Sequence, residues 1–344
     1  MKRILLVNIL LLVTLICFAD EKADLKMQKG LKKVYVTETI TDAPYPPYYA
    51  TTRITVESLY EVTESTPDGY ILDVRNTNVT TDMWTNKKEN NYIGKPVFSY
   101  ETALEEGARY IFATDKAGKI LKLLNFDEVK EKRKVALHKF FSAGMVEIIT
   151  DTSETYQAEI EDSMVNKILD EMTEESVLKK FLFTISPLGL NGKNIVDGTE
   201  EEYEVKRGIR MKRTYQVKSN GGIKSSSSLN MTPEEVKQYY MKPYKDAFSR
   251  LKDEDYPDLT EEEFHKLATE KLSNFKPEDP VCITLIPAFK LKASEKAAIT
   301  FLPDGWVKTV NSTSSIDDYG ENTKTTYKIY CKKSGVNNLK AKNR

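Results

Sequence analysis

Ala108-Arg-Tyr110-Ile-Phe112-Ala-Thr114-Asp115-Lys-Ala-Gly118-Lys-Ile120-Leu-Lys-Leu123-Leu124 is the stretch on which the reading of this chain turns. Two runs rich in β-branched and aromatic residues flank Asp115-Lys-Ala-Gly118, so the spacing predicts two strands joined by a glycine-containing turn. A helix follows, with Asn125 and Asp127 as caps and Phe126, Val129, Leu137, Phe140 and Phe141 near one face. The same order recurs further on. Tyr215-Gln-Val217 turns at Asn220-Gly221-Gly222, returns through Ile223 to Leu229, and leads into a helix opened by Thr232-Pro233-Glu234-Glu235. The recurrence suggests an internal duplication of a hairpin-helix unit.

Outward from this stretch, strand patterns dominate the N-terminal side. Lys33 to Ile40 reads as a first strand. Ile54, Val56, Tyr60 and Val62, then Tyr70, Leu72 and Val74 after Pro67-Asp68-Gly69, alternate with polar residues and form the clearest hairpin. Between them, Asp42-Ala-Pro44-Tyr45-Pro46-Pro47-Tyr48-Tyr49 reads as a stiff loop, because prolines cannot donate to a ladder. Tyr45, Tyr48 and Tyr49 are its candidate binding residues, for stacking on a sugar or a partner; packing back onto the sheet is the plainer expectation. The spacing changes to a helical one at Tyr156, Ile160, Met164, Ile168 and Met172, with Val165 and Leu169 beside them, and continues through Val177, Leu178, Phe181, Leu182 and Ile185 until Pro187 and Gly189. Capping boxes at Thr232 with Glu235 and Thr260 with Glu263 open further helices. The Ser225 to Ser228 run reads as a solvated edge. Strands resume at Val281, Ala298, Trp306 and Thr325.

Met1-Lys2-Arg3, the apolar run Ile4 to Ile16 and the small residues Cys17 and Ala19 follow the order of a secretory signal peptide, with cleavage expected between Ala19 and Asp20. Export would leave Cys282 and Cys331. In an oxidising compartment these two are a disulfide candidate worth about 4 kcal/mol on the chain-entropy model, against the alternative of two separate buried thiols. The formal net charge is −1, from 51 Lys+Arg and 52 Asp+Glu. No basic excess points to nucleic acid. The composition, 40% hydrophobic and 30% charged, is that of a globular protein.

The residues offer little chemistry. His138 and His265 are the two histidines, each beside an apolar stripe, and neither lies in a HExxH pattern. No CxxC pair, Walker loop, dinucleotide loop or glycine-flanked serine elbow occurs. The acidic run Asp253 to Glu263 has Tyr256-Pro257 where a calcium loop needs its sharp turn, so it reads as an acidic helix start. No catalytic residue, metal ligand or cofactor site is assigned, and an enzyme is the weakest reading.

Phe112-Ala-Thr-Asp-Lys-Ala-Gly118, Asn125-Phe-Asp-Glu-Val129, Glu201-Glu-Tyr203, Gly208-Ile-Arg-Met211-Lys212-Arg213-Thr-Tyr215 and Met231-Thr-Pro-Glu-Glu-Val236 resemble a family of uncharacterised secreted, strand-rich proteins of Gram-negative bacteria. The resemblance implies export and a β-rich fold, with no catalytic residues to carry over. The hairpin-into-helix order is also similar to curved-sheet carriers of lipid or lipoprotein in the cell envelope.

The expectation is therefore an α+β protein: antiparallel curved sheet with helices packed on one face. The expected divisions are a signal peptide at 1–19, β-rich modules with helices at 20–190 and 191–331, and a mobile basic tail at 332–344. Two functions fit an extracytoplasmic protein of this kind. One is non-enzymatic binding of an apolar small molecule or lipid; the other is a structural or interaction module with an envelope protein partner.

Overall fold

The computed structural model describes residues 25–45, 48–85, 100–145, 154–205, 208–236, 238–239, 260, 262–263, 266, 291–318 and 321–336. Five strands open it: β1 (Leu31–Tyr45), β2 (Tyr48–Ser65), β3 (Gly69–Thr85), β4 (Arg109–Asp115) and β5 (Ile120–Leu123). The helices α1 (Tyr100–Glu105), α2 (Phe126–Met145), α3 (Glu154–Asp170) and α4 (Glu174–Leu182) interrupt or follow them. Six more strands complete the chain: β6 (Glu200–Glu204), β7 (Arg210–Val217), β8 (Ile223–Leu229), β9 (Lys292–Phe301), β10 (Val307–Asp318) and β11 (Glu321–Val336).

All eleven strands form one sheet in the order β5-β4-β3-β2-β1-β11-β10-β9-β8-β7-β6, each antiparallel to its neighbours. The order is an uninterrupted meander whose ends have been joined in a different place. β1 meets β11, and the connection from β5 to β6 carries α2, α3 and α4 between the two sheet edges. This overturns the α+β expectation of a helix-packed sheet. Strand dominates, and the hairpins proposed as a repeat occupy inequivalent places: β5 is an edge, whereas β8 is paired on both sides by β7 and β9.

The sheet is rolled. Phe181 at the end of α4 packs edge-on against Tyr110 and Phe112 of β4, with ring centroids 4.8 and 4.7 Å away. Three residues later, Thr184 Oγ1 lies 3.0 Å from the Tyr215 hydroxyl of β7. Eight strand spacings separate β4 from β7 in the sheet order, about 38 Å if the sheet were flat. Three residues reach at most about 11 Å. The two edges must therefore approach one another, and the 174–199 segment bridges the seam between them. The Leu123 amide of β5 donates to Glu174 at 2.9 Å on one side, and Lys193 pairs with Glu201 of β6 at 2.5 Å on the other.

The core fills one end of this open barrel. Tyr35, Tyr60, Val62, Leu72, Val74, Tyr110, Phe112, Ile299, Val307 and Val310 from the sheet join Val129, Leu137, Val165, Leu169, Phe181 and Leu188 in a single cluster. Burying each such large side chain contributes about 1.5–3 kcal/mol. Tyr35 donates to the Val307 carbonyl at 2.7 Å, and the Trp306 indole donates to the Lys26 carbonyl at 3.0 Å, so β1 and the residues leading into it are stitched to the start of β10 at this base. The buried Lys33 ammonium meets Asp304 at 2.5 Å in the same place.

Several local expectations change. β1 runs on through Pro44, which pairs with Tyr49, so the tyrosine-proline stretch is the end of a long hairpin and not a loop that breaks the ladder. Val165 and Leu169 lie at the centre of the α3 stripe, while Met164 is 42% exposed. Ser225 and Ser227 are buried on an interior strand, so the serine run is no solvated edge.

Candidate ligand-facing sheet surface and buried arginine cluster

The central strands are far longer than the core needs: β1, β2, β3 and β11 span 15, 18, 17 and 16 residues. Their two faces differ beyond the core. The side that continues from Tyr35 and Tyr60 carries Thr37, Thr39 and Thr41 on β1, Thr52, Ile54 and Val56 on β2, and Val79, Thr81 and Met83 on β3. It carries Ser312, Ser314 and Ile316 on β10, and Thr325, Tyr327 and Ile329 on β11. None of these is charged. The opposite side carries Glu38, Arg53, Glu57, Lys328 and Lys332, joined as Arg53–Glu38 at 3.1 Å and Lys332–Glu57 at 2.7 Å. Alternation along a strand sends neighbours to opposite faces, so on these strands charge is sorted onto the outside, except at the last rung, where Asp318 of β10 and Glu321 of β11 share the inner face.

Across the inner face towards the seam, the uncharged lining meets a buried cluster. The Arg213 guanidinium of β7, 1% exposed, donates to Glu295 on β9 at 2.6 Å and to Ser227 on β8 at 3.2 Å, and lies 3.5 Å from Glu201 on β6. Its carbon sits 4.1 Å from the centre of the Tyr203 ring and 5.3 Å from that of Phe183. Burial alone would raise the Glu201 carboxyl, but Lys193 at 2.5 Å, the Tyr215 hydroxyl and Arg213 hold it below the usual carboxylate range. Burial, with the bond to Glu201, pushes the Tyr215 hydroxyl up to about 12. Two cations and two carboxylates thus balance, and four adjacent strands are tied to the bridging segment. As chemistry, the cluster is an electrostatic latch: every charge is matched, and no group is left poised as a nucleophile or base.

A second, smaller core closes the far side of this band. Ile209, Met211, Leu291 and Ala293 pack with Val236, which stands in the helical turn at 233–236. The expected cap is present there, with the Glu235 carboxylate accepting from the Thr232 amide at 2.8 Å. Tyr239 donates to Asp318 at the end of β10 at 2.9 Å, so the helix begins across the inner face.

The residues singled out from sequence fall in different places. Tyr45 and Tyr48 pair as the last rung of the β1–β2 hairpin, with Tyr49 opposite Pro44. Cys331 lies on β11 opposite Tyr35, and Cys282 lies outside the described residues. Ala19, Asp20, His265, the Val281 strand and Asp253 to Asp258 also lie outside them. His138 Nδ1 is 3.0 Å from Glu161, and Ser142 donates to the same carboxylate at 2.9 Å. The carboxylate is central and the imidazole does not touch the serine, so this is a clamp between α2 and α3 and not a Ser-His relay. Beside it, a shallow recess of about 470 Å³ opens between α1 and α2, lined by Glu106, Glu131, Lys132, Val135 and Lys139. Among the described residues no helix is long and apolar enough to cross a membrane.

No protein-family profile matches the chain, and no curated protein is similar to it in sequence at a significant level. Among solved structures it is similar to lipovitellin, in a study of lipid–protein interactions, with a TM-score of 0.41 and 11% identity over 90% of this chain. The chain spans 26% of the length of that one. It is also similar to an outer membrane channel from Pseudomonas putida, with a TM-score of 0.18 and 6% identity over 91% of this chain and 99% of the channel. Likeness at these scores carries no argument about function.

Sequence reasoning missed both the arginine cluster and the sorted face. The signal for the first was the run of four small serines in β8, Ser225 to Ser228, of which Ser227 accepts from Arg213; that for the second was threonine at every other position of β1, too polar to register as apolar alternation.

Proposed function

We propose that this chain is a non-enzymatic binding protein that holds an elongated apolar ligand of acyl-chain character against the inner face of β1, β2, β3, β10 and β11. One observation carries the reading: beyond the core that face carries no charge until the last rung of β10 and β11, where Asp318 pairs with Glu321, while the outer face holds ion pairs along its length. A face meant for water gains nothing by excluding charge. A face meant for an alkyl chain must exclude it, because an unpaired charge against hydrocarbon costs several kcal/mol. Threonine suits the role, since it keeps the strand and offers a methyl group. The signal-like order of residues 1–19 supports export to an extracytoplasmic compartment, and there the reading is of a carrier or holder in the cell envelope.

Native mass spectrometry of the full chain purified from its own envelope, followed by organic extraction, tests this. A mass above that of the polypeptide, released as a lipid or other apolar molecule, is the expected result. A bare polypeptide mass after gentle purification, with no binding of added lipid, would overturn it.

A further inference from the structure

The recess between α1 and α2 has an unmatched cation at its inner end. Glu105, the last residue of α1, takes the Lys180 ammonium of α4 at 2.5 Å and the Asn76 side-chain amide of β3 at 2.8 Å. Burial alone would raise its carboxyl, but Lys180, with smaller pulls from Arg133 and Asn76, holds it below the usual carboxylate range. Arg133 of α2 therefore stands near this carboxylate without pairing with it. Among the described residues its one hydrogen bond runs from Nη1 to the Met172 sulfur at 3.6 Å, a weak acceptor, and its Nε is buried without a partner. The Arg213 cluster sets two cations against two carboxylates; here Lys180 and Arg133 share one. A half-buried guanidinium left in this state is costly until an anion meets it.

Space leads to Arg133 from outside. It lines an inner pocket of about 20 Å³, room for one water-sized group. Ala103, Glu106, Lys132 and Ala136 line both this pocket and the open recess of about 470 Å³, so the pocket is the inner end of the recess. The other charges on these walls are engaged elsewhere or lie at the surface. Arg109 pairs with Asp73 at 2.7 Å and Lys132 with Glu128 at 3.1 Å; Glu106, Glu131 and Lys139 are exposed, and neither carboxylate pairs with Arg133. Ala103, Ala136 and Val135, the last 69% exposed, make the rest of the recess wall apolar. We infer that Arg133 anchors a binding site for a small organic anion, a carboxylate or phosphate carried on an apolar body. One oxygen of the anion fills the inner pocket and accepts from the guanidinium, while the body lies against Ala103, Val135 and Ala136. No residue of this site belongs to the threonine-lined face of the sheet, so it goes beyond the acyl-ligand reading and stands independently of it.

The test is calorimetric titration of the full chain with benzoate, phenyl phosphate, inorganic phosphate and benzyl alcohol. Benzoate or phenyl phosphate is expected to bind about tenfold or more tightly than benzyl alcohol, the worth of one charge-assisted hydrogen bond, and more tightly than inorganic phosphate; the stronger of the two names the anionic group. Arg133→Met should abolish that preference, whereas Lys134→Gln, outside the recess lining, should keep it. Without ligand, Arg133→Met should keep or raise the urea midpoint, because it removes a cation that nothing in the chain matches. A large fall in that midpoint would overturn the site, since the guanidinium would then be paired within the chain. Equal binding of benzyl alcohol, a preference that survives Arg133→Met, or no binding of benzoate and phenyl phosphate would overturn it as well. Inorganic phosphate binding as tightly as phenyl phosphate would reduce it to an adventitious ion only.

Discussion

Arg213 on β7 and Glu295 on β9 meet at 2.6 Å across the intervening strand, with the guanidinium 1% and the carboxylate 5% exposed. A pair so buried stabilises little by itself, because desolvation offsets most of the attraction, yet breaking it leaves a bare charge inside the sheet. Arg213→Met is therefore expected to lower unfolding stability by about 3–5 kcal/mol. Arg213→Met with Glu295→Leu should cost clearly less than the two single changes summed. Urea unfolding of the three variants measures the cycle, and additive losses would show that the pair is not coupled.

Phe181 should behave as the keystone of the seam. Its ring touches Tyr110 and Phe112, and its neighbour Thr184 reaches Tyr215. Phe181→Ala is expected to cost about 3–5 kcal/mol in urea unfolding, with faster amide exchange at both β4 and β7, the strands it holds together.

Acid should weaken the fold through Asp73. Burial alone would raise its carboxyl, but bonds from Arg75 at 2.5 Å and Arg109 at 2.7 Å hold it below the ordinary aspartate range. A depressed folded value means that the unfolded chain takes up the proton first. The stabilisation is complete above the unfolded value of about 4, and is lost as pH falls through it towards the lower folded value. Asp73→Asn should therefore be less stable than the wild type at neutral pH and show a flatter decline below about pH 4. Urea midpoints across this range provide the comparison.

Gly189 has no room for a side chain: a Cβ there would stand 1.9 Å from the Phe183 carbonyl oxygen. Gly189→Ala is expected to destabilise the bridging segment by about 1–3 kcal/mol, as overpacking does, with the loss again seen in urea unfolding.

Ligand retention should depend on which face of β2 is altered. Ile54 faces inward, between Thr39 and Thr81, and Thr55 faces outward beside Glu38. Ile54→Lys is expected to abolish co-purification of an apolar ligand, whereas Thr55→Lys should retain it, as read by native mass spectrometry. Equal retention by both would show that the inner face is not the binding surface.

Sequence alone determined what is local. The hairpin through Pro67-Asp68-Gly69, the turn at Asp115 to Gly118, the helix beginning at Phe126 and the boxes at Thr232 and Thr260 all stand where their residues dictate, because alternation, turn glycines and capping side chains act over three or four positions. Pro44 misled, since it lies beyond the last β1 residue paired with β11, where a missing donor is tolerated. Tertiary structure alone decided the rest. That β1 closes against β11, that β8 is interior, and that Phe181 and Thr184 draw the two sheet edges together depend on contacts between residues far apart in the chain, for which no periodicity in a short window carries a signal. The sorted inner face was written in the sequence as alternating threonine, but only the direction of the roll determines which side of a strand looks inward, and hence which residues would meet a ligand.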